Sequence, residues 1–459
     1  MHSTKLVSTN LTPNGDDKVK TVAILGMGYV GLTLGVALAR KNFEVYGVES
    51  NTSVLDLLRR GIPHFREVGL DALLKHYVSS AKLRLCSTLP DEVAFDSYIV
   101  SVGTPLDKKT LEPNISYIND VLTDVGRHMA KGSLVVMRST IAVGASRNVA
   151  IPTIERASGM KAGSEFSFAF APERTIEGEA LVELESNPQV IGGIDETSIS
   201  RAALLFGALT PTILSVSSLE AAEMVKLMDN SYRDVRFAYA NEIAQICESM
   251  GLDANELIRV ANTHYPRNSI PVPSPGVGGA CLSKDPYILR DAARKKGAKA
   301  ELIFQARQIN EAIPKRMVGR IEAMLQDHSK SLKDCKVGIA GFAFKGQPET
   351  SDLRESTSIW FLDQLKEIVP LAQIYGYDPV VEKSKLAELG MNVCDDINEI
   401  YQDADVFVLL NNHPSYYDLD LHRVTTGMKK PGIIYDSWRM IDKSIFEGVE
   451  DITYLGVGV

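Results

Sequence analysis

Lys20-Thr21-Val22-Ala23-Ile24-Leu25-Gly26-Met27-Gly28-Tyr29-Val30-Gly31 runs a short apolar segment straight into a glycine-spaced turn. Leu32 to Arg40 continues with helical character, and Glu44-Val45-Tyr46-Gly47-Val48 returns to a strand that ends at Glu49. Strand, turn, helix and second strand in this order predict a βαβ unit carrying a dinucleotide fingerprint. Gly26 gives the tight turn, Gly28 lets a pyrophosphate approach the main chain, and Gly31 lets the helix pack closely on the strand. Amides at the helix N-terminus favour phosphate. An acid about 20 residues past the motif takes the ribose hydroxyls. Glu49 fills that place, which favours NAD and repels the extra phosphate of NADP.

Further α/β units follow. Ser97 to Val102 and Ser133 to Met137 read as strands, ending in Gly103-Thr104-Pro105 and Arg138-Ser139-Thr140. Doubly wound sheets place ligands at strand C-termini, so Thr104 and Thr140 are candidate site residues, with helix capping as the plainer role. Phe166 to Ala171 leads into Pro172-Glu173-Arg174-Thr175-Ile176-Glu177-Gly178, whose two acids either position a water or form a solvated turn. Ser218 to Met250 holds no Gly or Pro and predicts one unusually long helix, a spine or a dimer interface. On it Lys226 and Asn230 stand at i, i+4 and face the same way, either as a surface pair or as an oxyanion clamp. Asp253 to Ala261 reads as another helix.

Next comes Pro275-Gly276-Val277-Gly278-Gly279-Ala280-Cys281-Leu282-Ser283-Lys284-Asp285-Pro286. Its glycines admit something close to the main chain, and a thiol stands near a cation and a carboxylate. A buried, inert cysteine is the alternative. Helix resumes from Pro286 to about Leu325. Lys336 to Phe344 starts a second α/β domain, with strands at Ala372 to Tyr377, Ala404 to Leu410 and Gly432 to Tyr435. Its first turn lacks the glycine fingerprint and carries Lys345, then Asp352 and Arg354. Asp378 ends the second strand as Glu49 ends its own; a helix cap is expected there, and the two sheets read as a diverged duplication.

A chain of 459 residues exceeds one ordinary core, and 45% hydrophobic with 23% charged residues is a globular composition. A net charge of -9 argues against sequence-independent nucleic-acid binding. Cys86, Cys247, Cys281, Cys335 and Cys394 are scattered, so neither a disulfide framework nor a zinc or other metal site is expected, and a reducing cytoplasm is. Residues 1–19 are polar and read as a mobile tail without a signal peptide. No apolar run of about 18 residues predicts a membrane span.

Seven stretches, in order, carry a resemblance: GMGYVGL (26–32), VGTP (102–105), RSTI (138–141), APERTIEG (171–178), AAEMVKLMDNSYRDV (221–235), GVGGACLSKDPY (276–287) and GFAFKGQPETSDLRES (341–356). The chain resembles the nucleotide-sugar 6-dehydrogenases, which oxidise the C6 alcohol of a UDP-hexose to a carboxylate with two NAD. The resemblance implies two Rossmann-like domains joined by a long central helix and a helical dimerisation region. It divides the chain into the tail at 1–19, an NAD domain at 20–212, a central domain at 213–315 and a UDP-sugar domain at 316–459. Cys281 falls at the family's nucleophile, which captures the aldehyde as a thiohemiacetal and then a thioester. Lys226 and Asn230 match its oxyanion groups, Asp285 the carboxylate that works through an ordered water, and Thr140 and Glu173 the holders of that water. Tyr29, Val30, Thr104 and Arg354 match cofactor positions, besides Gly26, Gly28, Gly31 and Glu49. Glu177, Gly278 and Lys345 match substrate positions, and Arg267 matches an arginine given to the neighbouring subunit of a homodimer.

NSYRDVRFAYANEIAQICE (230–248), Pro266-Arg267 and Val190-Ile191-Gly192-Gly193 resemble the N-acetylhexosamine branch, whose substrates are UDP-GlcNAc or UDP-ManNAc. That branch usually has His where Ala280 stands and a Pro near Glu177, while Lys284 before Asp285 is like the UDP-glucose enzymes, so UDP-glucose is the alternative substrate. Two further readings are an ordinary two-electron dehydrogenase and, from another class, a catalytically inactive nucleotide-binding protein.

Overall fold

The computed structural model describes the backbone of Leu6–Val7 and residues 20–107, 109–446 and 448–459. Apart from Leu6–Val7, the segment expected as a tail lies outside the described residues. The chain divides into two compact units. One holds the residues up to Asp229 together with Tyr287–Lys299, the other Asn230–Pro286 together with Ala300–Val459.

The first unit is built on a sheet of β1 (Leu6–Val7), β2 (Thr21–Leu25), β3 (Glu44–Val48), β4 (Leu83–Cys86), β5 (Ser97–Val100), β6 (Leu134–Met137), β7 (Ser167–Phe170), β8 (Gln189–Gly193) and β9 (Ile213–Ser215). Their order is β1-β9-β8-β7-β6-β5-β2-β3-β4. Strands from β4 to β7 run parallel, while β7 pairs with β8 and β1 with β9 in the antiparallel sense. A parallel sheet is covered on both faces, so its strands read as unbroken apolar runs. SYIV, LVVM and SFAF are buried throughout. Successive side chains point to opposite faces. Val22, Ile24, Val45, Ile99, Leu134 and Val136 therefore enter one core, and Ala23, Leu25, Tyr98, Val100, Val135 and Met137 the other.

The second unit repeats the plan with β10 (Val337–Ala340), β11 (Ile374–Tyr377), β12 (Asn392–Val393), β13 (Val406–Leu409), β14 (Gly432–Asp436) and β15 (Ile452–Gly456). The order β12-β11-β10-β13-β14-β15 is parallel throughout and matches β4-β3-β2-β5-β6-β7. The first turns match as well. Gly26 and Gly341 both sit at φ 93°, where an L side chain is strained. The amide of Gly26 donates to the Val48 carbonyl and that of Gly341 to the Tyr377 carbonyl, each at 2.9 Å.

Asp378 departs from expectation. It caps no helix; its Oδ2 accepts from the amides of Phe342 (2.6 Å) and Ala343 (3.1 Å), and its Oδ1 from Val380 and Val381. A short acid at the end of the second strand thus braces the first turn. The helix expected from Pro286 to about Leu325 is also two helices, Asp285–Lys295 and Glu301–Asp327. Gly297, at φ 76°, ends the first, and the amides of Gly297 and Ala298 close onto the carbonyls of Arg294 and Ala293. A glycine just past a helix end is the sequence signal for this stop.

The long helix is continuous over Leu219–Met250. In the second unit Asp253 caps the next helix, Ala254–Asn262, through the amides of Asn255 and Glu256. Its carboxylate also meets Arg439 at 2.6 and 2.8 Å and Lys443 at 3.0 Å. The Arg439 guanidinium holds the Asp253 carboxyl well below the usual range. A depressed folded pKa contributes stability that is present above the unfolded value of about 4 and is lost as pH falls through the folded value. Asn caps a helix as well as Asp, so Asp253→Asn isolates the charge. That variant is expected to lose about 1–3 kcal/mol at pH 7. The gap to the parent should narrow from about pH 4 downward in thermal melts; a gap independent of pH would refute the ion-pair account.

Candidate active site

In the first unit the turn after β2 is built for a dinucleotide. A Cβ on Gly31 would run into the Gly26 carbonyl oxygen and stand 2.7 Å from Ser101 Oγ, so only glycine lets the helix Tyr29–Arg40 start here. Gly28 is exposed at the helix N-terminus, with no side-chain cap on the first amides. Glu49, at the end of β3, accepts from the amides of Met27 (3.1 Å) and Asn51 (2.9 Å). Gly26, Gly28, Glu49, Ser101, Val102 and Pro105 line a cleft of about 800 Å³. An exposed glycine, uncapped amides and a carboxylate at the strand end fit an NAD pyrophosphate and ribose.

Asp91, Asp120 and Asp124 line the same cleft. They were not singled out in the sequence and add negative potential against a 2′-phosphate. Glu49→Ser is therefore expected to raise kcat/KM for NADP about tenfold without making NADP the preferred cofactor. Steady-state kinetics with both cofactors checks this, and an unchanged NADP value would remove Glu49 from cofactor choice.

Tyr29 is tied down rather than open. Its hydroxyl donates to Glu67 Oε2 (2.6 Å) and meets the Ile176 carbonyl (3.0 Å). Burial and Glu67 push its pKa far above the ordinary range, so it remains a donor. Glu67, 2% exposed, also accepts from the amides of Gly178 (2.7 Å) and Ala180 (2.8 Å). One buried acid thus joins the dinucleotide turn to the loop carrying Glu173 and Glu177. The sequence reading missed Glu67, which lies in a mixed polar and glycine-containing stretch that carries no signal of its own.

The strand ends are cross-braced. Thr104 Oγ1 donates to the Thr140 carbonyl at 2.7 Å, so its hydroxyl holds the main chain. Glu173 is buried, which removes the solvated-turn alternative, and stands 3.6 Å from Lys226. Lys226 and Asn230 are 7% and 5% exposed, so they are not a surface pair. Glu177 and Val30 are half-buried.

In the second unit the cysteine loop docks on the first turn of the second sheet. A Cβ on Gly278 would strike the Glu355 carbonyl, and one on Gly279, at φ 86°, would strike the Phe344 ring. The Gly279 amide donates to the same Glu355 carbonyl at 2.9 Å. These glycines therefore admit a neighbouring carbonyl and an aromatic ring of the same unit, where the sequence had left open what comes close. Cys281 is exposed, while Leu282, Ser283 and Asp285 beside it are buried. Asp285 is 0% exposed and accepts from Asn230 Nδ2 at 2.5 Å. Its other oxygen meets Lys284 Nζ at 2.6 Å, so the cation read as a partner for the thiol is bound to the carboxylate.

Lys345 is half-buried, its ammonium 5.5 Å from the Phe344 ring centre. Arg354 is exposed and held by Asp352 at 2.6–3.0 Å. Arg267 is exposed and lies over the Tyr265 ring at 4.7 Å. Arg307, absent from the sequence reading, is fully buried next to the cysteine loop. A charge inside an amphipathic helical pattern was its only signal.

Among the described residues no group of acids, histidines or cysteines has the arrangement of a metal site, and no helix is long and apolar enough to cross a membrane. Three family profiles match the chain. The UDP-glucose/GDP-mannose dehydrogenase family, NAD binding domain, covers residues 20–210, its central domain 220–312 and its UDP binding domain 338–443. The chain is 31% identical over 432 residues to UDP-N-acetyl-D-mannosamine dehydrogenase of Pyrococcus horikoshii, covering 93% of this chain and 98% of that protein. It is 32% identical to NDP-N-acetyl-D-galactosaminuronic acid dehydrogenase of Ralstonia nicotianae, covering 89% and 94%. A solved structure of the UDP-D-ManNAc dehydrogenase from Pyrococcus horikoshii superposes with a TM-score of 0.86 over 95% of this chain and 99% of that one. A UDP-glucose dehydrogenase from Pyrobaculum islandicum, 25% identical, superposes with a TM-score of 0.83 over 98% and 99%.

Proposed function

Since the chain belongs to the UDP-glucose/GDP-mannose dehydrogenase family, we propose that it oxidises the C6 alcohol of a UDP-N-acetylhexosamine, UDP-ManNAc or UDP-GlcNAc, to the uronate. The chain is an NAD-dependent nucleotide-sugar dehydrogenase with the family's NAD-binding and UDP-binding domains. The observation that carries the reaction is Cys281, exposed on a loop whose neighbour Asp285 is buried against Asn230.

NAD, when bound, accepts the hydride at each of two oxidations. In the first, the C6 hydroxyl loses its proton through the water that we assign to Asp285, Thr140 and Glu173, and the alcohol becomes an aldehyde. The Cys281 thiolate then adds to the carbonyl carbon, forming a C–S bond and an oxyanion. Lys226 and Asn230 supply the cation and the amide donor for that charge. Loss of the second hydride leaves a thioester on Cys281, and water cleaves it to the carboxylate and the free thiol. The sum is one alcohol, one water and two NAD+ consumed, and one carboxylate, two NADH and three protons produced. We assign Lys345, Glu177, Gly278 and Arg267 to the UDP-sugar, and Arg354 to the cofactor side.

The N-acetylated substrate is supported by the names of relatives that are 31–32% identical. The resemblance of Lys284, placed before Asp285, to the UDP-glucose enzymes supports UDP-glucose as the second reading. A screen of NADH release over UDP-Glc, UDP-GlcNAc, UDP-GalNAc, UDP-ManNAc and UDP-Gal tests both. Two NADH per sugar and the highest kcat/KM on an N-acetylated sugar are expected. Preference for UDP-Glc selects the second reading, one NADH per sugar an ordinary dehydrogenase, and binding without NADH an inactive nucleotide-binding protein.

The active form we propose is a homodimer in the cytoplasm. Met228, Tyr232, Tyr239, Ile246 and Met250 on the long helix are 43–66% exposed, a stripe of apolar side chains that a second copy would cover. Arg267 would then serve the neighbouring subunit. Light scattering that finds only active monomer refutes this assembly.

A further inference from the structure

Arg307 is 0% exposed, which is costly for a guanidinium unless every donor is used. Its Nη1 donates to Asp234 Oδ1 (2.7 Å) and to the Leu282 carbonyl (2.9 Å). Its Nη2 donates to the Val277 carbonyl (2.7 Å), and its Nε to Glu311 Oε1 (3.0 Å). Val277 and Leu282 bracket Cys281. The planar fork of one arginine therefore holds the main chain on both sides of the thiol.

The anchor is continuous with the rest of this unit. Asp234 lies one turn past Asn230 on the long helix, and Asn310 Nδ2 donates to both its Oδ1 (2.8 Å) and its carbonyl (3.0 Å). Asn241, further along the same helix, donates to Asn310 Oδ1 (3.0 Å) and accepts from the Ser274 amide (2.8 Å) at the start of the loop. Asp234, Asn241 and Asn310 are all 0% exposed.

We propose that Arg307 is a positioning residue for the Cys281 thiol, fixing the glycine-rich loop through the Val277 and Leu282 carbonyls with Asp234 as its anchor. The physical need is specific. Gly278 and Gly279 must be glycine to pass Glu355 and Phe344, and glycine has the greatest backbone freedom of any residue. A nucleophile on such a loop must still be held within about 0.5 Å of its productive place. Apolar packing gives no direction to a carbonyl, whereas a fork with two donors does.

This role rests on Cys281 being the nucleophile, and two variants test it apart from that premise. Arg307→Lys keeps the charge opposite Asp234 but cannot span both carbonyls with a fixed fork. The double variant Arg307→Met, Asp234→Leu removes both charges and leaves no buried ion unpaired. For either folded variant, kcat is expected to fall at least about tenfold while KM for NAD stays within about twofold. Mass spectrometry should find that the pH profile for iodoacetamide alkylation of Cys281 moves with kcat, a change that a purely structural residue would not produce. Folded variants with kcat and alkylation within about twofold of the parent overturn the assignment, as does failure of both to fold, which would make Arg307 architectural. The premise fails separately, if a Cys281→Ala protein still yields uronate at the parent rate.

Discussion

Cys281→Ser is expected to end uronate production, with the rate of product release falling at least about a thousandfold. A serine hydroxyl is ionised far less readily than a thiol, so the aldehyde from the first oxidation is not captured and the second hydride has no adduct to leave from. Cys281 is exposed, and substitutions at exposed positions usually move stability by no more than about 0.5 kcal/mol. The loss is therefore chemical, and thermal melts of parent and variant should coincide. NADH stoichiometry with product mass spectrometry is the measurement. Sustained normal turnover to uronate in the variant would sink the covalent mechanism.

Asp285→Asn is expected to have the next largest effect. The carboxylate is fully buried between Asn230 Nδ2 and Lys284 Nζ. An amide of the same size keeps the packing and removes the charge that accepts a proton through water. General-base groups contribute about 10²- to 10⁴-fold, and kcat should fall within that range. The variant also leaves Lys284 without its anion and turns an acceptor for Asn230 into an amide, so some stability is lost as well. The diagnostic is kcat of the folded variant, measured beside its thermal melt. A folded variant that retains more than about a tenth of the parent kcat would exclude Asp285 as the base.

Much of the architecture was legible along the chain because the signals are local. The glycine spacing at 26–31, the acid at Glu49 and the apolar strands around them predict a βαβ unit through backbone sterics alone. The unbroken Leu219–Met250 helix follows from the lack of Gly and Pro, and the stop at Gly297 was present to be read although it was passed over. β4, β9 and β15 were also passed over.

Residue types with strong local chemistry were found the same way. Cys281 in its glycine-rich loop, Lys226 with Asn230 at helical spacing, and Thr140 at a strand end were candidates by type and spacing, with roles that only the family resemblance implied. Their partners do not. Nothing near Asn230 in sequence says that its amide donates to Asp285, or that Glu173 stands 3.6 Å from Lys226. Helix periodicity gives only the face, and either face suits a lone Lys and Asn until burial is known.

Glu67 and Arg307 mark the boundary most clearly. Each is one charged residue among several in its stretch, and each becomes informative only when burial forces its polar atoms to find partners. Glu67 finds the hydroxyl of Tyr29 and two loop amides; Arg307 finds two carbonyls on either side of Cys281. Local spacing and propensity established the main strands and the dinucleotide turn and singled out Cys281 as a candidate, since these are properties of short segments. How firmly the nucleophile is held depends on contacts between segments tens of residues apart, and desolvation, which exists only in the folded chain, selects those contacts.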